Sequence, residues 1–429
     1  MFRFVHAADL HLDSPFRGLR KTQPELSKVL RQATLDAYDA LIQLCLDQEV
    51  QALLIAGDIF DGESRSIPGQ LAFVRGLERL SRAKIPVFIC HGNHDPLDLW
   101  DEAIVAAIPV GVHQFGATPE CVPVNPGDSS SPLICGFSYP TREVRESVLD
   151  KFPDGDSDRL TIGLLHANVG GDAGHDAYAP CTLEELCQKK GYDYWALGHV
   201  HTCAIKHDQY PAIVYPGNTQ GRHINEQGPR GVFVVEVDDQ KQVDLSHFEA
   251  LDAVRWGEVE VSIQDIDTLP ELEQQFDAHV QALRTEVQGR PLVFRMHLTG
   301  RGQLHEEVSD REKREEWLDV LNEELGAQQP FAVCTAIEDH TKSFIDREAL
   351  RKGNDFLADV VEVADSYLAE DGLVRRIETE LAPLVGHRRV VKGDHLSGLV
   401  LDEDKAQELL NRAEEVALDL LLGDQQETD

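Results

Sequence analysis

Long hydrophobic runs are missing from this chain. No apolar stretch approaches the ~18 residues that a membrane span needs, and Met1-Phe2-Arg3 leads straight into a strand-like pattern with no charged and apolar leader before it. A cytoplasmic protein with no membrane partner is expected. Basic residues are also scarce: 40 Lys and Arg stand against 76 Asp and Glu, a net charge of −36. That balance removes whole-molecule steering toward nucleic acid as a binding force, so a phosphate-bearing substrate needs a local basic rim or bound cations. The surplus is uneven: residues 1–250 hold 35 acidic and 21 basic groups (−14), residues 251–429 hold 41 and 19 (−22). Cysteine pairs are lacking as well. Of Cys45, Cys90, Cys121, Cys135, Cys181, Cys187, Cys203 and Cys334, only Cys181 and Cys187 lie close together, and they lack Cys-x-x-Cys spacing. Reduced core thiols are expected rather than disulfides or a zinc site. There is no internal repeat, and the one biased segment is the polar tail Gly423–Asp429, which is expected to fray.

What is present is a layered α/β pattern. At 429 residues the chain has room for two or three domains of ~150 residues. Residues 1–250 alternate strand-like with helix-like segments, beginning β-α-β-α-β and becoming richer in strands, which two sheets packed face to face and flanked by helices would accommodate. Near residue 250 the character changes. Trp256–Ile263, Pro270–Val287, Pro291–Leu298, Glu306–Leu325 and Phe331–Ile337 read as a small β-α-β-α-β domain over 251–340. Residues 341–429 read as amphipathic helices, with apolar positions from Leu350 to Ala364 and from Leu409 to Leu422 amid acidic residues.

Five short islands carry the chemistry: Asp9-Leu10-His11, Gly57-Asp58-Ile59-Phe60-Asp61, Gly92-Asn93-His94-Asp95, His166 and Gly198-His199-Val200-His201. The first three each follow a buried-strand pattern ending in small residues, so their ligands would emerge at strand C-terminal tips, where open α/β sheets keep their sites. Asp9 and His11 sit two apart and share a side of extended backbone. Asp58 is placed to use both oxygens and bridge two ions; His199 and His201 can point from one loop toward both; Asn93 adds a neutral oxygen. Carboxylates mixed with imidazoles favour manganese, iron or zinc over calcium. Two such ions would stabilise the attacking and leaving oxygens of an in-line displacement at phosphorus, with no serine or cysteine nucleophile. Each island alone is commonplace. Their order, with Gly-Asp-x-x-Asp and then Gly-Asn-His-Asp about thirty residues later, is not.

Those ordered motifs resemble the calcineurin-like metallophosphoesterase superfamily, and Gly-Asn-His-Asp with no arginine before it is unlike the protein-phosphatase branch. The opening His6-Ala7-Ala8-Asp9-Leu10-His11-Leu12-Asp13-Ser14-Pro15-Phe16 and the later Tyr215-Pro216-Gly217-Asn218-Thr219-Gln220-Gly221-Arg222-His223 closely resemble the YhaO-type DNA repair exonucleases, relatives of the SbcD nuclease subunit. The likeness covers residues 1–240 well and the rest only by layout. It implies a four-layer metallophosphoesterase fold, two packed mixed sheets flanked by helices, with a small α/β capping domain and a helical C-terminal region. It implies one metal on Asp9, His11, Asp58 and His201 and a second on Asp58, Asn93, His166 and His199, usually Mn²⁺. His94 would stabilise the transition state or protonate the leaving oxygen, oriented by Asp95. Asp61 stands where some relatives carry a histidine implicated in exonuclease polarity, so that role is not carried over and Asp61 reads as a supporting or turn residue. The resemblance also implies an SMC-like ATPase subunit bound through the C-terminal helices; it leaves a homodimer open.

Arg222 and His223 follow a strand-like run in a Gly-rich loop, placed either to touch a DNA phosphate or to stabilise the loop. Arg17, Arg20 and Lys21 would form a basic rim or a solvated face. His6 reads as packed in its strand and His91 as a neighbour of the active loop, and His113, His175 and His207 lack any motif. The expected function is a metal-dependent phosphodiesterase acting on DNA, a 3′-to-5′ DNA repair exonuclease with single-strand endonuclease capacity, both of the latter implied by the resemblance. A small-molecule phosphodiesterase or nucleotidase would share every ligand and suit the acidic surface, but needs no domains after residue 250. A catalytically silent scaffold would have no reason to keep all the ligands.

Overall fold

A computed structural model describes residues 1–14, 24–62, 66–100, 102–170, 179–353, 356–369, 372–385 and 402–426. Arg17, Arg20, Lys21 and His175 lie outside the described residues. The chain runs β1 (Phe2–Ala7), α1 (Pro24–Asp47), β2 (Ala52–Ala56), α2 (Ile67–Arg82), β3 (Val87–Cys90), α3 (Glu102–Ala107), β4 (Val112–Gln114), β5 (Glu120–Pro123), β6 (Leu133–Gly136), β7 (Thr161–His166), α4 (Leu183–Gln188), β8 (Tyr194–Gly198), β9 (Ala204–His207), β10 (Ala212–Tyr215), β11 (Gly231–Val237) and β12 (Val243–Ala250). There follow β13 (Arg255–Ser262), α5 (Leu269–Glu286), β14 (Leu292–Thr299), β15 (Arg301–Gly302), α6 (His305–Ser309), α7 (Arg311–Ala327), β16 (Ala332–Asp339) and β17 (Lys342–Ser343). Helices α8 (Arg347–Arg351), α9 (Phe356–Leu368), α10 (Leu373–Val385) and α11 (Glu403–Gln426) complete it. No described helix is long and apolar enough to cross a membrane.

Two mixed six-stranded sheets form the first part, ordered β12-β11-β1-β2-β3-β4 and β5-β6-β7-β8-β10-β9. Strand alternation sorts their side chains into three apolar layers. Phe4, Leu54 and Phe88 face Ile134, Ile162, Leu164, Tyr194 and Val214 between the sheets. Val5, Leu53, Ile55 and Ile89 turn the other way, onto Tyr38, Leu41 and Ile42 of α1 and Phe73, Leu77 and Leu80 of α2. On the far side Leu165, Trp195, Leu197 and Ile213 are covered by Leu149, Phe152, Leu186 and Tyr192. The result is the expected helix-sheet-sheet-helix stacking, in which each fully buried large apolar side chain contributes roughly 1.5–3 kcal/mol. Helix α2 starts where Ser66 Oγ accepts from Gly69 N (2.9 Å), with Pro68 in its first turn. It crosses α1 closely at Gly76, where an added Cβ would sit 2.5 Å from the Tyr38 hydroxyl.

The expectation of separate thiols fails at one pair. Cys121 and Cys135 are register partners on antiparallel β5 and β6, with Cα atoms 4.0 Å apart, and form a disulfide. Their separation of 14 residues gave no sign of it, because the pairing is made by the sheet. The other six cysteines are free.

The middle segment is the β-α-β-α-β unit that its periodicity predicts, with β13, β14 and β16 parallel. Val259, Val261, Met296 and Leu298 meet Leu272, Phe276 and Val280 of α5 and Leu318, Leu321 and Leu325 of α7. The single charged helix predicted over Glu306–Leu325 is broken in two at Asp310, whose carboxylate accepts from Glu312 N (2.8 Å) and Lys313 N (3.3 Å) and so starts α7. On the opposite sheet face, Trp256 and Val293 pack with Val254, Ile224 and α1 residues Leu30 and Ala33. Residues 1–300 and 304–342 thus form one compact unit. Residues 301–303 and 343–429 form a second, built on helices α8 to α11. There Leu357, Val361 and Leu418 are buried, and Arg347 pairs with Glu414 (2.9 Å) and Asp365 (3.0 Å).

Candidate metal centre

All seven expected ligands converge at the C-terminal ends of β1, β2, β3, β7 and β8. The loops are laced together by backbone bonds, Asp9 N to Gly57 O (3.1 Å), His11 N to Asp58 O (3.0 Å) and Leu12 N to Ile59 O (2.8 Å). Tight turns there force non-glycine residues into left-handed backbone: φ is 50° at Asp9, 42° at His11, 53° at Asp58 and 98° at His199. Each such residue costs on the order of 1–3 kcal/mol, a strain that clusters at functional sites. The motif glycines supply clearance. A Cβ on Gly92 would lie 2.2 Å from Asp58 Oδ1, and one on Gly198 1.8 Å from Ala56 O.

Asp58 is 1% exposed and lies between two groups of donors. Its Oδ1 accepts from His94 N (3.0 Å), and its Oδ2 lies 3.4 Å from His166 Nε2 and 3.9 Å from His11 Nε2. Register pairs His166 on β7 with Gly198 on β8, bringing the lone histidine beside the Gly-His-x-His island. His166 Nδ1 donates to Ala56 O (2.9 Å), so that Nε2, 3.0 Å from Asn93 Oδ1, is the nitrogen that would give up its proton to a cation. His199 Nδ1 lies 3.3 Å from the same Asn93 oxygen, and His199 N donates to Asp9 Oδ1 (3.1 Å). On the other side, His11 Nε2 and His201 Nε2 are 3.2 Å apart. Donors of Asp9, His11 and His201 form one compact set and those of Asp9, Asp58 and His166 another, so Asp9 reaches both.

The donor set fits a pair of divalent cations. Two buried carboxylates share the pocket with histidines that are 7% exposed or less (His11, His166, His199), and buried His11 Nδ1 has no hydrogen-bond partner. Burial pushes the Asp9 carboxyl up to about 6. Burial also acts to raise Asp58, but His166 outweighs it and holds Asp58 well below the usual carboxylate range, while His166, against its own burial, is raised to about 9 by Asp58. The pocket is short of positive charge, the condition a bound cation meets.

Asp95 differs from its expected role. It is fully buried, and its carboxylate accepts from Gly92 N (2.8 Å), Asp58 N (3.1 Å) and Ile59 N (3.1 Å), knitting the β2 and β3 loops together. The partner of His94 is Asp61, with Oδ1 at 2.6 Å from His94 Nδ1, and that hydrogen bond raises the imidazole pKa. Sequence adjacency misled here, because the turn carrying His94 outward sends Asp95 inward. Arg222 is placed against the site: Nη1 is 3.3 Å from Asp61 Oδ2 and its side chain is 12% exposed. His223 lies outside this network, its Nδ1 accepting from Asn225 N (3.2 Å). His6 is packed as expected, between the Tyr194 hydroxyl (2.9 Å) and Leu197 O (3.1 Å), and burial lowers its pKa to about 3. His91 sits between Asp95 (3.4 Å) and Gln114 (3.2 Å).

One functional residue was not found from the sequence. Glu226 Oε1 is 2.6 Å from His201 Nδ1, and its Oε2 accepts from Arg222 N (2.6 Å) and Asn218 Nδ2 (3.0 Å). Despite burial, the bond from His201 holds this carboxyl down at about 2, so His201 donates from Nδ1 and turns Nε2 toward His11. Carboxylates in this position fix ligand tautomers, and their loss weakens metal affinity by roughly 10–100-fold. That is the expectation for Glu226→Gln, read as the Mn²⁺ concentration giving half-maximal binding in calorimetry; an unchanged affinity would remove Glu226 from the centre.

Comparison with known proteins places the chain in a family. Residues 2–203 match the calcineurin-like phosphoesterase family, and residues 256–342 match the middle domain of the metallophosphoesterase YhaO. The uncharacterized metallophosphoesterase YhaO of Bacillus subtilis is 32% identical over 342 residues, 79% of this chain and 82% of that protein. The DNA double-strand break repair protein Mre11 of Aeropyrum pernix is 26% identical over 231 residues, 51% of this chain and 53% of that one. The SbcD component of the SbcCD nuclease of Bacillus subtilis is 29% identical over 156 residues, 35% and 38% of the two chains. The chain belongs to the calcineurin-like metallophosphoesterases and, within them, to the proteins that carry the YhaO-type middle domain.

Proposed function

We propose that the chain is a two-metal phosphodiesterase that hydrolyses DNA, acting as a 3′-to-5′ repair exonuclease with single-strand endonuclease capacity. The observation that carries the reaction is the Asp58 carboxylate standing between His11 and His166, with the other donors gathered on either side. Asp9, His11, Asp58 and His201 would hold one divalent ion and Asp58, Asn93, His166 and His199 a second, Mn²⁺ being the proposed metal, and the pair would stabilise charge on the attacking and leaving oxygens of an in-line displacement at phosphorus. DNA as the substrate is supported by the similarity to a nuclease component and a DNA break repair protein.

The chain's own residues supply the rest. His94 is the most exposed of the pocket imidazoles, its side chain 38% open to solvent, as a group that must meet the substrate should be. Asp61 fixes its Nδ1 and leaves Nε2 to pass a proton to the departing sugar oxygen. Arg222 holds Asp61 from the other side and adds positive charge to an otherwise acidic molecule. The amides gathered by Asp95 keep the two loops from drifting apart. We also propose docking of an SMC-like ATPase on the C-terminal helices, in keeping with the exposed apolar Phe356, Val363, Val416 and Leu420 there.

The test incubates purified protein with Mn²⁺, end-labelled single- and double-stranded DNA and, in parallel, bis-p-nitrophenyl phosphate. Cleavage of both DNA and the small ester, stopped by a chelator, is expected. Cleavage of the small ester alone would replace DNA with a small-molecule substrate, which the net charge of −36 would suit. Inertness toward both would reduce the chain to a scaffold.

A further inference from the structure

The three-stranded sheet of the middle segment has a polar patch that the metallophosphoesterase reaction does not use. On β14, Arg295, His297 and Thr299 alternate with the buried Met296 and Leu298, so they share the face turned away from α5 and α7. Glu338 on β16 is the register partner of His297, and His340 lies two residues further along, held to the sheet by His340 N donating to Leu298 O (2.8 Å). Glu258 on β13 stands on the same face across from them.

We propose that His297, Glu338 and His340 form a third metal site, separate from the nuclease pocket, for a zinc-type divalent ion. Three donor atoms make a near-equilateral triangle: His297 Nδ1 to His340 Nε2 is 3.4 Å, His297 Nδ1 to Glu338 Oε2 is 3.4 Å, and His340 Nε2 to Glu338 Oε2 is 3.6 Å. A tetrahedral ion with bonds of about 2.1 Å keeps its ligands about 3.4 Å apart, so the three atoms span one face of that polyhedron. Two imidazoles and one carboxylate oxygen suit zinc and its transition-metal neighbours and are poor ligands for calcium or magnesium.

The surroundings orient two of the three donors. Arg295 Nη1 takes the other carboxylate oxygen, Glu338 Oε1, at 3.0 Å, so Oε2 is the atom presented to both rings. Glu258 Oε1 lies 3.5 Å from His297 Nε2, the far ring nitrogen, where a carboxylate leaves Nδ1 as the lone-pair atom. The two rings are nearly parallel, 23° between planes with centroids 5.5 Å apart. Two imidazolium ions at this spacing would repel, and two unprotonated ring nitrogens 3.4 Å apart beside a carboxylate would bring lone pairs together; a cation resolves both. The side chains are 22%, 36% and 56% exposed for His297, Glu338 and His340, so an ion can enter from solvent and a fourth position faces water. Bound there, the ion would tie the end of β16 to β14.

The site is tested by stripping the full-length protein with a chelator and titrating it with Zn²⁺ by calorimetry, and with Co²⁺ by visible absorption. Wild type should bind one more equivalent of Zn²⁺ per chain than His340→Ala, and the Co²⁺ difference spectrum should carry the intense bands of a tetrahedral centre. His297→Ala should lose the same equivalent, and both variants should keep wild-type Mn²⁺-dependent hydrolysis of bis-p-nitrophenyl phosphate. Equal Zn²⁺ stoichiometry in wild type and the two variants would overturn the site and leave a hydrogen-bonded histidine pair beside a carboxylate.

Discussion

Asp58→Asn is expected to lower metal-dependent phosphodiester cleavage by on the order of 10³-fold or more, with the fold retained. Two ions at such a centre each supply several kcal/mol of charge stabilisation, and every 1.36 kcal/mol is a factor of ten in rate. Asp58 has near neighbours on both sides, His166 Nε2 at 3.4 Å and His11 Nε2 at 3.9 Å, and replacing one oxygen by an amide removes its ability to serve both. The structural bonds survive: asparagine keeps an Oδ1 to accept from His94 N, and the Asp58 amide still donates to Asp95. Circular dichroism and the thermal midpoint should therefore stay close to wild type, while metal analysis of the dialysed protein should show fewer than two bound ions. Undiminished activity would remove Asp58 as the bridge and leave Asp9, which reaches both donor sets, as the carboxylate shared between them.

Much of this centre is legible in the sequence because its parts are local. A buried strand must end in a turn, and candidate ligands two apart after Val5-His6-Ala7-Ala8 or at His199-Val200-His201 stay near one another by chain connectivity, although left-handed φ at Asp9, His11 and His199 replaces the extended backbone expected there. The β-α-β-α-β opening and the middle segment were readable for the same reason, since apolar periodicity reports one face of each element. Strands with little apolar content were harder to see. β12 carries Asp244, Ser246 and Glu249 on a half-solvated edge, and β5 is only four residues long. Contacts made across the fold left no local trace. Glu226 sits in a loop 25 residues after the histidine it orients, and Asp61 reaches His94 across two loops. Cys121 and Cys135 meet only through β-sheet register. A chain neighbour such as Asp95 is the natural guess for an orienting carboxylate, but the amides of Gly92, Asp58 and Ile59 hold Asp95 inside the loops, so sequence order and spatial order part there.

That separation bears on the second large effect. His94→Ala is expected to slow turnover by roughly 10²–10⁴-fold, the range for loss of a positioned proton donor, while leaving metal stoichiometry unchanged. The ring is bound to Asp61 and stands edge-on to His11, with centroids 5.2 Å apart, yet its closest link to the bridging carboxylate is through the backbone, His94 N to Asp58 Oδ1, which alanine preserves. Asp61→Asn then separates the roles of the two carboxylates. If Asp61 is the orienting partner, the variant should lose part of the rate that His94→Ala loses and add nothing when the two are combined, because both act through one imidazole. Independent, additive losses would mean that Asp61 works by another route, through Arg222 or His11, both within 4.0 Å of its carboxylate. Loss of both metals in His94→Ala would instead make His94 a ligand, and the seven-donor assignment would have to admit an eighth.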